Sequence, residues 1–563
     1  MHEVNWQSVI PHYPQFEQEI SHYPALSPLP ASALQPRLKN SICRLLHDSH
    51  YPRMLIVNSS DVYDYSLLIK QTVKEVTGKE DLPIIIADNA NERQLFGAVY
   101  PQNNDVTASH IEYGLIHKAD GGILVLSLSA MIDNFQIWKR LKAFLSKGEL
   151  EWRPAKPSQP CSIPSPEKLS LRVIIVSDRS DLASFEDAEP QLFSGFSAFT
   201  EYEQDLQLDS DNVTTYLQLV KGFQQSLSLR ELTPDAVKRI MQAGARFSEE
   251  QDRMPLCPLW YQSLLCEADY QCQSDLISGD DVEKAIREKA YRESYLPMRA
   301  TDDIHKGQVF IDTQGEHIGQ VNGLTVIEMP GHPVSYGEPA RISCVVHFGD
   351  GDVSDVESKA DLAGNIHAKG MMIMQAFVSA ALDLDEALPF TASIVFEQSY
   401  CEVDGDSASL AELCALVSAL SQQPINQSIA VTGAVDQFGR VQAVGGINEK
   451  IEGFYQVCLN KGLTGKQGVI LPKTNLTALC LNQDVANAIK EGNFHIWAVE
   501  HVNETFPLIT GIPFERTATE EQIDTDIQES LLDKIARRID AFHNGEQRHM
   551  SLVAKLKLWL NKY

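Results

Sequence analysis

Short apolar runs that alternate with segments of helical spacing are the strongest constraint on the fold of this chain. Each run is as long as a buried strand: "MLIV" (54–57), "LPIIIAD" (82–88), "GGILVLSL" (121–128) and "LRVIIVSD" (171–178). Between them lie segments with the apolar repeat of a helix, such as "YSLLIKQTVKEVTG" (65–78) and residues 135–147. Strands that are separated by helices are typical of βαβ units. We therefore predict a parallel α/β sheet in this region.

In the rest of the chain the pattern of apolar residues changes several times between helical and strand-like spacing. With 563 residues it is too long for one compact core, so we expect several domains. Helical spacing dominates from about 206 to 304, and strand-like and helical segments alternate again up to about 512. In the tail Ile527, Leu531, Ile535, Ile539 and Phe542 recur at helical spacing. The predicted domains are an N-terminal lead-in (1–50), an α/β domain (51–205), a helical domain (206–304), a second domain of strands and helices (305–515) and a helical tail (516–563).

Charge and cysteine usage exclude several classes of protein. The formal net charge of −29 argues against nucleic-acid binding, which needs clustered Lys and Arg. The ten cysteines form no CxxC pair and no zinc-finger spacing, so we expect reduced, buried thiols and no metal site. The N-terminus has no signal-peptide pattern, and the apolar runs are too short to cross a bilayer. We expect a soluble, cytoplasmic protein without membrane contact.

Ser407 stands at the predicted start of a helix. In "EVDGDSASLAELCALVSAL" (402–420) the apolar residues after the serine follow helical spacing, which predicts a helix with one core-facing stripe. Ser407 could cap this helix, a role that serine often fills. It could also be a nucleophile whose attack places an oxyanion beside free backbone N–H groups. The position alone favours the cap and leaves both interpretations open.

A nucleophilic serine needs a base that removes its proton. The histidines on either side of this segment, His367 and His495, lie in no evident pairing motif. A neutral lysine can act as the base where burial lowers its pKa. Lys450 is a candidate, because it lies at the start of a mostly apolar helix in "VGGINEKIEGFYQVC" (444–458). Spacing alone does not distinguish it from the other lysines.

Two motifs taken together resemble a known family. The segments "EVDGDSAS" (402–409) and "IAVTGAVDQFGRVQAVGGINEKIEGF" (429–454) resemble the proteolytic domain of Lon proteases, and the Gly-Asp-Ser-Ala-Ser form resembles the B-type branch. The resemblance extends over about 310–512, and the whole chain is similar to a bacterial group of Lon homologues. It implies a multidomain α/β and α+β architecture: a degenerate AAA+-like α/β domain, a helical domain that resembles the AAA+ lid, and a Lon-type α+β proteolytic domain.

The resemblance also implies roles for particular residues. Ser407 matches the family's nucleophile and Lys450 its general base, 43 residues further on, which is the family's characteristic separation. Thr432 matches a position that hydrogen-bonds the lysine amine, and Asp404 matches an acidic position that shapes the site. Gly405, Asp406 and Ala408 complete the motif around the serine. With both motifs present, the nucleophile becomes the favoured interpretation of Ser407.

The AAA+-like region departs from the family pattern. An ATPase of this kind needs a phosphate loop, G-x-x-x-x-G-K-[ST], and an acidic pair at the end of an apolar strand. The chain contains no Gly-Lys-Ser or Gly-Lys-Thr, and "NSSDVYDYS" follows "MLIV" with Asp61 and Asp64. Ser127 and Ser129 stand where the acidic pair is expected. We therefore expect no ATP hydrolysis at this site and no cofactor; an α/β domain unrelated to nucleotides is the alternative.

Two further sequence patterns are weaker indications of a functional site. Asp404 and Asp406 lie two residues apart and suggest a metal site, but such carboxylates more often accept hydrogen bonds from nearby backbone. "SPEK" (165–168) matches Ser-x-x-Lys, yet it lies in a proline-rich linker, where a chance match is the better explanation.

The combined prediction is a serine endopeptidase that hydrolyses unfolded or damaged proteins with a Ser-Lys dyad. The resemblance implies a homo-oligomeric ring, a hexamer, that encloses the serines. Two alternatives remain open. One is a scaffold or holdase that has kept the protease fold without catalysis, and the other is an ATP-dependent protease that uses a partner's nucleotide site.

Overall fold

A computed structural model describes residues 2–47, 52–60, 63–102, 105–156, 158, 161–348, 351–382, 389–399, 403–515 and 529–549. The chain divides into two compact units. The first unit comprises Met1–Tyr13, Ile240–Arg253 and Ile286–Tyr563, and the second comprises Pro14–Arg239 and Met254–Ala285. Among the described residues, no helix is both long and apolar enough to cross a membrane.

The second unit contains a parallel sheet of five strands. In spatial order these are Ala198–Glu201, Met54–Asn58, Arg172–Ser177, Ile123–Ser127 and Ile84–Ile86. Four of them are the predicted apolar runs, so the prediction of a parallel α/β sheet is confirmed. The edge strand Ala198–Glu201 has no counterpart among the predicted runs. Its sequence is a short "AFTE", and the Phe199 side chain is 45% exposed, so this strand lacks a buried strand's apolar signal.

Helices cover both faces of this sheet, which explains why its strands read as unbroken apolar runs. Met54 and Ile56 pack into the core on one face, and Leu55 and Val57 pack into the core on the other. The described α-helices that lie wholly in the second unit are Glu17–Ser21, Pro36–His47, Tyr63–Thr77, Glu92–Phe96, Leu115–Lys118, Ser129–Asp133, Phe135–Lys147, Arg179–Ala188, Val213–Ser226 and Pro258–Gln271.

The region predicted to be helical is largely so. After Val213–Ser226 come Pro234–Ser248, Pro258–Gln271, Gly279–Glu293 and Tyr295–His305. Short strands lie between or beside these helices, at Asp205–Gln207, Glu231–Leu232, Arg253–Pro255 and Leu276–Ile277. Elsewhere in the second unit, Ala98–Gln102 pairs with Asp105–Glu112, and Glu149–Leu150 pairs with Glu167–Lys168.

The first unit contains a mixed sheet of eight strands. In spatial order these are His2–Glu3, His495–Val499, Gly468–Pro472, Ile429–Val431, Gln320–Ile327, Tyr336–Phe348, Phe390–Glu397 and Asp352–Asp355. The N-terminal strand His2–Glu3 pairs antiparallel with His495–Val499, so the start of the predicted lead-in belongs to this sheet. Shorter strands of the unit are Glu316–Ile318, Pro424–Asn426, Ala434–Val435 and Val441–Gln442.

Two helices on opposite faces of the mixed sheet frame its centre. On strand Ile429–Val431, Ile429 and Val431 point into one core, whereas Ala430 points into the other. The helix Ser409–Ser421, called the serine helix below, packs on the first face. The helix Ile447–Lys461, called the lysine helix, packs on the second face. Besides Tyr295–His305, the other α-helices described for this unit are Val356–Lys359, Asn365–Ala381, Gln483–Lys490, Val502–Thr510 and Leu531–His549.

The serine helix is buried on all sides, whereas the sequence predicted one core-facing stripe. Every residue from Ser409 to Ser421 is buried. The face that was expected to be exposed carries small residues such as Ala411 and Ala415, and these lie in the same apolar core as Leu531, Ile535 and Ile539 of the tail helix. The predicted tail stripe therefore packs on this core. Ile527 and the side chain of Phe542 lie outside the described residues.

Candidate active site

Ser407 lies in a tight turn, Asp404–Ala408, called the serine turn below. Gly405 adopts a φ of 112°, a conformation that side chains disfavour, and so the turn requires glycine at this position. The serine helix begins at Ser409, and its N-cap residue is Ala408, which has no capping side chain. The cap interpretation of Ser407 is therefore wrong, because the serine precedes the cap and its hydroxyl makes another contact.

The hydroxyl of Ser407 accepts a hydrogen bond from the amine of Lys450, with 2.9 Å between Nζ and Oγ. Lys450 lies in the first turn of the lysine helix and is 3% exposed. Burial lowers the pKa of this amine to about 8, against the carboxylates of Asp406 and Glu449, which act to raise it. A substantial fraction of the amine is therefore neutral at slightly alkaline pH, as a general base requires.

Close packing of glycines sets the position of the lysine helix. A Cβ at Gly453 would overlap the backbone of Gly337 on strand Tyr336–Phe348, and a Cβ at Gly337 would overlap the carbonyl of Glu449. Gly446, with a φ of 61°, starts the helix, and a side chain there would collide with Val326. The helix therefore lies directly on the sheet, which brings the amine of Lys450 to the serine turn. The buried face of this helix, Ile447, Ile451, Phe454 and Cys458, packs into the core on that side of the sheet.

Thr432 contacts the serine rather than the lysine. Its hydroxyl donates to the carbonyl oxygen of Ser407 at 3.2 Å, and the N–H of Gly433 donates to the same oxygen at 2.9 Å. The expected hydrogen bond to the amine is absent among the described residues, where Lys450 Nζ bonds the Ser407 hydroxyl. Thr432 directly follows strand Ile429–Val431 and lies beside the backbone of the serine turn. Its hydroxyl therefore reaches the carbonyl of Ser407. Thr432 therefore fixes the turn that carries Ser407.

The acidic residues before the serine have separate environments. Asp404 accepts hydrogen bonds from the N–H groups of Gly405 at 3.0 Å and of Ile366 at 3.2 Å, at the start of helix Asn365–Ala381. This is the local backbone role that the sequence favoured over metal binding. Gly370 of the same helix leaves room for Asp406, since a Cβ there would lie 3.1 Å from the Cβ of Asp406. Helix Asn365–Ala381 thus supports the serine turn.

Backbone donors for an oxyanion lie within the turn itself. The N–H of Ser409 donates to the carbonyl of Asp406 at 3.0 Å, and the N–H of Leu410 donates to Gly433 at 3.1 Å. The first two N–H groups of the serine helix are thus already occupied. Among the described residues, the N–H groups of Asp406, Ser407 and Ala408 donate no hydrogen bond. These groups are free to bind an oxygen next to Ser407 Oγ.

A buried cluster of ionisable groups lies beside the site and was not predicted. His367 Nε2 lies 3.0 Å from Asp355 Oδ2 and 3.7 Å from Glu412 Oε1, and all three residues are buried. Glu357 completes this His367 cluster. The carboxylates raise the pKa of His367 to about 9 despite its burial, and burial raises the pKa of both Glu357 and Glu412 to about 7. No spacing in the sequence indicates a cluster drawn from residues 355, 357, 367 and 412.

Neither histidine near the motif reaches the hydroxyl of Ser407. His367 bonds Asp355, and His495 bonds Glu3 of the N-terminal strand and the carbonyl of Gly465. The described residues therefore present Lys450 as the basic group in contact with Ser407 Oγ.

In the second unit, a phosphate loop would follow the carboxyl end of strand Met54–Asn58. Asp64 lies exposed on helix Tyr63–Thr77, and Asp61 lies outside the described residues. Ser127 and Ser129 hydrogen-bond each other through their hydroxyls. Beside this edge Tyr202 donates to the carbonyl of Leu256 at 2.9 Å, and its ring packs edge-on against Tyr65.

Family models match three parts of the chain. A model described as "LonB-like, AAA domain" matches residues 80–203, and one described as "Archaeal LonB, AAA+ ATPase LID domain" matches residues 231–292. A third, "Lon protease (S16) C-terminal proteolytic domain", matches residues 365–509 and includes the serine turn and both helices. The predicted AAA-like, helical and proteolytic parts of the architecture are confirmed.

Curated relatives extend the likeness to almost the whole chain. A Lon protease homolog of Escherichia coli (strain K12) is 40% identical over 97% of both chains. A Lon protease homolog of Haemophilus influenzae is 43% identical over 81% of this chain and 75% of its own length. An archaeal Lon protease of Archaeoglobus fulgidus is 29% identical over 41% of this chain. By this likeness and by the matching family models, the chain belongs to the Lon protease family.

Proposed function

We propose that this protein is a serine endopeptidase that cleaves unfolded or damaged protein chains with Ser407 as nucleophile and Lys450 as general base. The observation that carries the proposal is the 2.9 Å contact between Lys450 Nζ and Ser407 Oγ, made by an amine that is 3% exposed. A serine and a lysine in this arrangement form a recognised variant of the catalytic triad. Neither residue needs a metal for this chemistry.

The first half of the reaction follows from this contact. The neutral amine of Lys450 removes the hydroxyl proton of Ser407, and Oγ attacks the carbonyl carbon of the scissile peptide bond. The carbonyl oxygen becomes an oxyanion and is stabilised by the free N–H groups of the serine turn, Asp406–Ala408. The protonated Lys450 then gives its proton to the leaving nitrogen. The C–N bond breaks and an acyl-enzyme ester on Ser407 remains.

The second half reverses these roles. A water molecule loses a proton to the amine of Lys450 and attacks the ester carbon. The same N–H groups stabilise the second oxyanion, and the proton on Lys450 returns to Ser407 Oγ as the C–O bond breaks. Throughout, Thr432 and Gly433 hold the carbonyl of Ser407, so the turn keeps its conformation.

We further propose that hydrolysis needs no nucleotide bound to this chain. The sequence has neither a phosphate-binding lysine nor the acidic pair that would hold magnesium, and Ser127 and Ser129 occupy the acidic positions. Substrates would then be chains that are already unfolded, because no ATP-driven unfolding precedes cleavage. By family likeness the working form would be a homo-oligomeric ring, which we propose to be a hexamer.

Degradation of casein and of a stably folded protein, each with and without ATP and magnesium, tests this function. We expect wild-type protein to cleave casein equally with and without nucleotide, and Ser407→Ala to cleave neither substrate. Strict dependence on ATP would favour a protease that uses a partner's nucleotide site. Absence of cleavage by the wild type, together with suppression of aggregation, would favour a non-catalytic holdase.

A further inference from the structure

Arg246 forms a network of charged hydrogen bonds with the helix that carries Lys450. Its guanidinium donates to the carboxylate of Glu449 at 2.7 Å and to both oxygens of Glu452, at 2.9 and 3.1 Å. It also donates to the carbonyl of Cys480 at 3.0 Å. The side chains of Arg246, Glu449 and Glu452 are all between 19% and 29% exposed, so solvent only partly screens these interactions. Arg246 lies within the stretch matched by the LID model.

Glu449 directly precedes the proposed base. Its carboxylate acts to raise the pKa of Lys450, as does the carboxylate of Asp406 from the serine turn, whereas burial lowers that pKa. A carboxylate near a lysine favours the protonated amine, which cannot accept a proton from Ser407. A cation bound to Glu449 offsets that effect. The structure places two nitrogens of Arg246 at the carboxylates of Glu449 and Glu452.

We propose that Arg246 is a positioning residue for catalysis: it neutralises Glu449 beside Lys450 and thereby keeps the lysine amine available as the base. The proposal rests on the Ser407–Lys450 mechanism above and adds a residue that lies outside both sequence motifs. It assigns a catalytic consequence to a contact between residue 246 and the lysine helix, more than 200 positions later in the chain.

The other charged groups around this contact support the assignment. Glu249 also faces Glu449 and Arg246, and Cys480 faces Arg246 and Glu452. The side chains of Glu452 and Glu449 are exposed to a similar extent, 21% and 19%, and burial raises the pKa of Glu452. Of the two carboxylates that Arg246 binds, Glu449 is the one that acts to raise the pKa of Lys450. The effect on Lys450 would therefore come through Glu449.

The test measures kcat/KM for fluorescent casein between pH 6 and pH 10, because its acid limb reports the pKa of the free enzyme's base. Arg246→Met should move the midpoint of that limb up by about one pH unit, since a newly unpaired carboxylate near a lysine has an effect of this size. At pH 7 the rate would then fall about tenfold. Glu449→Gln alone should move the midpoint down. The double variant should return it to within about 0.3 unit of wild type, because the two changes act on one charge.

Arg239→Met is the matched control. Arg239 lies on the same helix, Pro234–Ser248, and forms an ion pair of equal length, 2.7 Å, with Glu283. Its loss should leave the midpoint unchanged. Thermal unfolding of each variant separates loss of fold from loss of the base, and Glu449→Gln provides the test if Arg246→Met does not fold.

The outcomes distinguish this inference from the proposed function. An unchanged midpoint in folded Arg246→Met, or in Glu449→Gln, overturns the role of Arg246 and leaves the dyad standing if Ser407→Ala is inactive. Casein cleavage that survives in Ser407→Ala overturns the dyad and the role of Arg246 together. A midpoint that rises in Arg246→Met and returns in the double variant supports the inference, because a purely structural role for Arg246 would not produce rescue by Glu449→Gln.

Discussion

The two units both have buried apolar cores on each face of a sheet, but they differ in the polar residues at their candidate sites. In the first unit the serine and lysine of the Lon motif are in contact, and Thr432 and Gly433 both donate hydrogen bonds to the carbonyl of Ser407 in the serine turn. In the second unit the five-stranded sheet is intact and both of its faces are buried, yet the phosphate-binding residues are missing. An apolar core can thus form without the polar residues of a nucleotide site, because a fold and a site depend on different side chains.

This contrast has a physical basis. Strands such as Met54–Asn58 are held by apolar contacts that tolerate changes in nearby loops. A phosphate site depends on a few polar groups at the carboxyl ends of strands, outside the apolar core. The first unit shows the opposite constraint. Its serine helix is buried on all sides and directly follows the turn that carries Ser407, so the core and the candidate site share one element.

The largest expected effect concerns the amine in the first unit. Lys450→Met should reduce casein cleavage by at least about a thousandfold, because no other described basic group contacts Ser407 Oγ. Methionine fills much of the same buried volume, so the fold should survive. Initial rates at pH 8 check the effect, with Lys473→Met as control, since Lys473 is exposed and pairs with Glu500. Substantial activity in Lys450→Met would show that Lys450 is not the base. The first unit would then no longer differ from the second by a working Ser-Lys site.

The next prediction concerns how the lysine helix is seated. Gly453→Ala should lower the free energy of unfolding of the first unit by about 2–3 kcal/mol, because its Cβ would overlap the backbone of Gly337. Activity should fall with it, since the helix carries Lys450. Gly445→Ala is the control, as a Cβ there meets no atom within 4 Å. Equal melting temperatures for the two variants would show that the close packing is not what positions the helix.

A smaller effect concerns the pH dependence of stability. Burial raises the pKa of Glu412 to about 7, so the folded protein holds a proton that the unfolded chain releases near pH 4.5. Stability from this group is therefore present below pH 4.5 and is lost as the pH rises through 7. Wild-type protein should lose about 2 kcal/mol more than Glu412→Gln between pH 5 and pH 8.

Melting temperatures of both proteins across that range measure the difference, with the exposed Glu491→Gln as control. If the melting temperatures of wild type and Glu412→Gln change with pH in parallel, the His367 cluster keeps Glu412 ionised, which would contradict the raised pKa of Glu412.

The smallest expected effect belongs to the second unit. A nucleotide at a hundred times its Kd would stabilise the fold by about 2.7 kcal/mol, which is a readily measured rise in melting temperature. We expect no rise with millimolar ATP and magnesium, because the phosphate-binding residues are missing. A reproducible rise of several degrees would show that this unit binds nucleotide by other residues, and the comparison of the two units would then rest on hydrolysis alone.

Some of these features could be predicted from the sequence and others could not. The apolar runs predicted four strands because burial on both faces leaves a continuous signal, whereas the half-exposed strand Ala198–Glu201 left none. The family motifs predicted that Ser407 and Lys450 meet. They placed Thr432 at the amine, but its hydroxyl contacts the carbonyl of Ser407. The spacing of residues in a sequence does not determine which of two polar atoms, a few ångströms apart, a side chain contacts.

Contacts between residues that lie far apart in the chain could not be predicted from the sequence. The His367 cluster joins residues from a strand end, a short helix and two long helices, and Arg246 reaches the lysine helix from far upstream. Each of these residues looks like an ordinary surface charge in the sequence. Only the fold shows that they lie together beside the site.

The rate at which a fluorophosphonate probe modifies Ser407, measured against pH, tests the central claim most directly. The claim is that a buried, neutral amine activates this hydroxyl. We predict that mass spectrometry finds the label on Ser407, that the labelling rate rises with a midpoint near pH 8, and that Lys450→Met abolishes the rise. Labelling of another residue, or a rate that is the same in Lys450→Met as in the wild type at every pH, would contradict it.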